Sequence, residues 1–117
     1  MRDAQDPAQF LRGDLVSVAT GDGAFGIVKV LATAAKGIHA RRYAERYAER
    51  PREVDPSSLT LAPSISAAAG PFSIGHVPLS HATFARWAPL LLLLGQSVED
   101  SELMGYRTWQ EAEGGYF

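Results

Sequence analysis

Read from its first residues, the chain alternates between apolar runs and turn signals at short intervals. Gly13 to Ala19 carries Leu15, Val16 and Val18 between turn-forming neighbours, a pattern that predicts a strand. Thr20-Gly21-Asp22-Gly23 follows as a turn, because Asp and Gly accept positive φ. From Phe25 to Thr33 the pattern has period two: Phe25, Ile27 and Leu31 fall on one face, Val28 and Val30 on the other. Both faces are largely apolar, which places this strand centrally. A second turn at Ala35-Lys36-Gly37 leads into Ile38 to Tyr43. The first forty-odd residues are therefore expected to form a three-stranded antiparallel meander.

The pattern then loosens. Arg42 to Arg50 repeats a Tyr-Ala-Glu-Arg unit. Helical spacing would stack Tyr43 over Tyr47 but also Arg42 on Arg46 and Glu45 on Glu49. A strand end passing into a short helical turn or loop is expected, closed by Pro51. Ser58 to Ala62 reads as a further short strand, residues 63–71 as an Ala/Ser/Gly-rich surface loop, and Phe72 to Val77 as extended again.

Two helices are expected in the second half. Ser80 is a suitable N-cap, with Leu79 and Phe84 in the two positions of a hydrophobic staple. Phe84 and Trp87 share its buried face, and Pro89 disfavours helix at Ala88. Leu90 to Leu94 reads as a buried strand. Ser97-Val98-Glu99-Asp100 opens the second helix, with acids where the helix dipole favours them. Leu103, Tyr106 and Trp109 form its apolar stripe, Gly114-Gly115 end it, and Tyr116-Phe117 pack back onto the core. The fold class is α+β: a curled antiparallel sheet, an SH3-like partial barrel, with two short helices in the C-terminal half. Residues 1–117 form a single domain, with residues 1–11 as a leader.

Composition agrees with one folded domain: 117 residues, 46% hydrophobic and 21% charged. The lack of cysteine removes disulfides, thiolate metal sites and thiol nucleophiles. The polar start, Met1 to Asp6, and a longest apolar run of five leucines predict neither a signal peptide nor a membrane span, so a cytoplasmic location is expected.

The net charge of −2 conceals an asymmetry. Residues 36 to 52 carry six basic and two acidic groups, whereas residues 53 to 117 carry two basic and seven acidic ones. Arg41, Arg42, Arg46 and Arg50 interleaved with Tyr43 and Tyr47 is a mixture that grips phosphates and stacks bases. That makes a small nucleic-acid-binding β-barrel one alternative, which the acidic last third opposes. A homo-oligomeric assembly subunit burying Trp87, Trp109 and Tyr116-Phe117 against a copy of itself is another.

Catalytic and metal chemistry finds no pattern to rest on. His76 and His81 are five apart, so they share no helix face and lack a carboxylate at metallohydrolase spacing. They are expected to be a backbone-bonded strand residue and a first-turn helix residue. Ser80 beside His81 lacks the strand–turn–helix elbow of a hydrolase. Gly21 to Gly26 is followed by a strand rather than a phosphate-binding helix. Glu45 with Glu49, and Glu99 with Asp100, sit among charged neighbours without the desolvation that raises a catalytic pKa. No catalytic residue, metal site or cofactor is expected.

The opening hairpin, Gly13-Asp14-Leu15-Val16-Ser17-Val18 and Gly23-Ala24-Phe25-Gly26-Ile27-Val28-Lys29-Val30, resembles the start of the immunity protein 26 family of bacterial polymorphic-toxin systems. The resemblance covers about a quarter of the chain. It implies a non-enzymatic protein that binds and neutralises a cognate toxin. Glu99, Asp100, Glu102, Glu111 and Glu113 would then offer an acidic face to a basic toxin cleft.

Overall fold

In the computed structural model, which describes residues 10–61 and 74–117, five antiparallel strands form one open sheet. The expected leader (residues 1–9 of it), the loop 63–71, Ala62 and the first residues of the Phe72 segment lie outside the described residues. Strands β1 (Leu15–Ala19), β2 (Phe25–Ala34) and β3 (Gly37–Arg42) are the expected meander. Strand β4 (Ile74–Ser80) adds beside β3, and β5 (Leu90–Leu93) beside β1, giving the order β4-β3-β2-β1-β5. The sheet is not closed into a barrel; β4 and β5 are its two edges.

Between those edges the chain crosses through helix α1 (His81–Arg86). Ser80 caps it, its hydroxyl oxygen accepting from the Thr83 amide at 3.1 Å. The staple residues Leu79 and Phe84 are both buried, and Phe84 meets Trp87 and Phe10 edge to face. The helix ends at Arg86, before the residue that Pro89 bars from helical geometry, and Ala88 itself takes a left-handed φ of +51°.

Alternation along the strands divides the buried side chains between two faces. Val16, Val18, Val28, Val30, Ile38, Ala40, Val77 and Leu79 pack with Phe10 and Phe84 into the principal core. The other face carries Leu15, Ser17, Ile27, Lys29, His39 and Arg41, and the C-terminal segment lies over part of it.

Three expectations need correction. Ser58 to Leu61 is not a strand, because a 3-10 turn forms at Pro56–Ser58 instead. Asp55 accepts from the Ser57 amide at 3.0 Å and hydroxyl at 2.7 Å, and Pro56 supplies the preset φ; together they outweigh the weak β preference of Ser-Leu-Thr. Leu90 to Leu94 is an edge strand: Leu90–Leu93 are half-buried and Leu94 is 58% exposed. Only β1 pairs with it among the described residues, so the last leucine has no second layer to enter. The second helix starts later than its acids suggest. Asp100–Leu103 forms a 3-10 turn, and α2 runs from Met104 to Glu111.

The Tyr-Ala-Glu-Arg repeat contains no helix. After β3 it is an irregular segment, tied at Tyr47 to Phe25 by two backbone hydrogen bonds of 2.8 Å. The Glu45 carboxylate secures it further by accepting from the Thr60 hydroxyl at 2.7 Å.

Candidate functional site

The polar residues of the second sheet face make the site. Antiparallel register places Lys29 of β2 directly opposite Arg41 of β3, and His39 follows two residues away on the same face. A lysine in a strand with apolar residues on both sides cannot be left without an anion. Glu102 supplies it. Its carboxylate lies 3.0 Å from Lys29 Nζ and 3.9 Å from Arg41, and it also accepts from the Glu99 amide at 2.9 Å. Lys29 donates in addition to the Ser97 carbonyl. Burial alone would raise the Glu102 carboxyl; the Glu99 amide, Lys29 and Arg41 outweigh it and hold its pKa below the usual value. Tyr43, beside this group, is pushed up to about 12, first by burial and then by the Glu102 charge. Leu15, Lys29, Tyr43, Pro56, Leu59 and Ser97 help line a shallow groove of about 350 Å³ there.

Next along the same face lies an aromatic cluster around His39, which is 1% exposed. His39 Nδ1 is 2.9 Å from His76 Nε2, and its Nε2 is 2.9 Å from the Tyr116 hydroxyl. The two imidazoles are parallel within 7° with centroids 5.2 Å apart, the separation of rings touching nitrogen to nitrogen in one plane. Tyr106 and Trp109 close over His39 with centroids at 4.5 and 4.4 Å. Burial, then the neighbouring His76, lowers the pKa of His39 to about 4, so the ring is neutral at neutral pH. His76 is therefore not bonded to backbone as expected: β3–β4 pairing sets it against His39, which separation in sequence conceals. His81 does have a backbone partner, the carbonyl of Ala34 at 3.0 Å.

The residues singled out from the sequence are scattered by the fold. Arg41 reaches Glu102 and the Gly75 carbonyl, while Arg46 pairs with Asp22 of the first turn. Arg50 donates to the Ser17 hydroxyl at 2.7 Å and lies over the Phe25 ring. Tyr43 and Tyr47 are both half-buried. Among the acids, Glu102 is inside, whereas Glu99, Asp100, Glu111 and Glu113 are exposed, with Arg107 3.2 Å from Asp100.

Sequence reasoning missed two groups: Lys29 with Glu102, and His39 with His76 and Tyr116. One signal was available: Lys29 interrupts the face otherwise made by Phe25, Ile27 and Leu31, and such a lysine calls for a distant carboxylate. Nothing comparable marked the histidine pair.

Among the described residues, no group of three or more histidines, cysteines or carboxylates is placed to hold a metal ion, and no helix is long and apolar enough to cross a membrane. No family model matches the chain, and neither a curated protein nor a solved structure matches it.

Proposed function

We propose that the protein is a non-catalytic binding protein of bacterial origin that neutralises a cognate toxin in the cytoplasm. The observation that carries this reading is the way α2 is held. Its inner side is pinned by the Lys29–Glu102 pair just before it and by Tyr106 and Trp109 against His39. Its outer side presents Met104, 67% exposed, with Glu111 one helical face-repeat away, and Glu99, Asp100 and Glu113 flank it. A firmly seated element binds at lower entropic cost than a loose one, and an acidic rim around an apolar contact suits a basic cleft.

Lys29, Glu102, His39 and His76 all have partners within the fold. Arg41, Arg46 and Arg50 likewise make contacts in different places, which supports a protein partner over a nucleic acid.

The test is co-expression in a bacterial host with the toxic domain encoded by the neighbouring gene. Growth should be rescued, and purified toxin domain should bind with an association rate that falls with salt and on Asp100→Lys with Glu111→Lys. Lack of a neighbouring toxin gene, or no rescue by the folded protein, would sink the reading. Salt-dependent binding of single-stranded RNA or DNA that disappears in Arg46→Glu would instead establish the nucleic-acid alternative. A mass that rises with protein concentration would establish the homo-oligomer.

A further inference from the structure

We propose that the His39–His76 pair is a proton-operated latch that holds residues 114–117 against the sheet at neutral pH and releases them on acidification. This inference does not depend on the toxin reading.

The segment is held at four points that the fold builds together. Trp109 Nε1 donates to the Gly115 carbonyl at 2.9 Å, and the Tyr116 hydroxyl meets His39 Nε2. Phe117 donates its amide to the Pro78 carbonyl at 3.0 Å and accepts from the Ser80 amide at 2.9 Å. These last two bonds are those of a parallel bridge onto the outer side of β4, an edge that Pro78 also keeps from pairing freely. The path is shaped for the segment: a Cβ at Gly37 would stand 2.8 Å from the Tyr116 ring and 2.1 Å from the Leu79 carbonyl oxygen. Trp109 closes against Gly114 in the same way.

Among the described residues, every group facing His39 is neutral or cationic. From β4 comes His76, from α2 Tyr106 and Trp109, and from the segment itself Tyr116. On β3, Arg41 follows two residues along, and the Glu102 carboxylate is committed to Lys29 and Arg41. A first proton therefore places a cation in a pocket where no carboxylate of the described residues receives it. A second makes donors of both facing nitrogens, and a 2.9 Å contact cannot survive that. His76 is half-buried, which gives protons a way in. Releasing Tyr116 lets the imidazoles hydrate, and it leaves the Ser80 amide and Pro78 carbonyl open to water.

Amide hydrogen exchange followed by NMR, corrected for intrinsic pH dependence, tests this on the unmodified protein. As pH falls from 6.5 toward about 4, protection at Ser80 and Phe117 should drop while Val28 and Val30 stay protected. Uptake of one proton coupled to release corresponds to about tenfold per pH unit within the window. His39→Gln keeps hydrogen-bonding capacity without titrating, and its segment should stay in place throughout. The proposal is overturned if Ser80 and Phe117 keep their protection, if they lose it only together with Val28 and Val30, or if folded His39→Gln shows the same pH response. Should that variant not fold, the comparison within the unmodified protein decides.

Discussion

Lys29 and Glu102 are 73 residues apart in sequence, yet their charged groups meet at 3.0 Å between the middle strand and the turn that leads into α2. Their side chains are 9% and 10% exposed, so neither has water as an adequate substitute. Replacing Glu102 by Gln strands the ammonium and should cost about 3 kcal/mol of stability. A Lys29→Met, Glu102→Leu double variant should recover much of that loss, because a buried pair repays its desolvation poorly. Urea unfolding of the two variants checks both statements. Equal losses in the single and double variants would refute the argument.

Tyr43 offers a spectroscopic view of the same charge. Its folded pKa lies near 12 against an ordinary 10, so the folded state retains a proton that the unfolded chain releases. The stability it contributes is complete below pH 10 and is lost as pH rises through about 12. Tyrosinate absorbance should show a late-ionising phenol that Tyr43→Phe removes. The same phenol should ionise earlier in Glu102→Gln.

Gly105 sets helix propensity against packing. An alanine is favoured over glycine in a helix by about 1 kcal/mol. At this position its Cβ would stand 2.6 Å from His76 Cβ, and overpacking of that kind costs about 1–3 kcal/mol. Gly105→Ala should therefore lower the melting temperature and shift the His76 ring resonances. A higher melting temperature would show that α2 moves aside without cost.

Helix α1 has one device at each end. Ser80→Ala removes the cap on the Thr83 amide and should cost about 1 kcal/mol. Ala88, exposed and at φ +51°, occupies a conformation that glycine adopts freely, so Ala88→Gly should stabilise by about 1 kcal/mol. The opposite signs of two alanine-level changes eight residues apart, read by chemical denaturation, make the pair a strict test of the helix boundaries.

Local patterns carried far. Period-two alternation from Leu15 to Ala40, with Gly and Asp at the first turn, set the meander. The Ser80 cap, the Leu79–Phe84 staple and Pro89 set the bounds of α1. Each depends on interactions spanning a few residues, which is why each is legible without a structure. Where local preferences are weak, as from Ser58 to Leu61 and from Ser97 to Leu103, the boundaries came out differently.

The acidic stretch shows the limit most sharply. Glu99, Asp100 and Glu102 read alike as surface acids, but the turn at Asp100–Leu103 sends one inward to Lys29 and leaves two in water. His39, His76 and Tyr116 gave no hint of one another, because they come from two strands and the final segment. The sequence by itself determined the three meander strands, the turn after β1 and the cap of α1, since those choices follow from backbone sterics and short-range periodicity. Only the tertiary structure decided which polar side chains face each other across the second sheet face. That choice rests on strand order and on burying charge only against opposite charge, and neither is a property of any one stretch of chain.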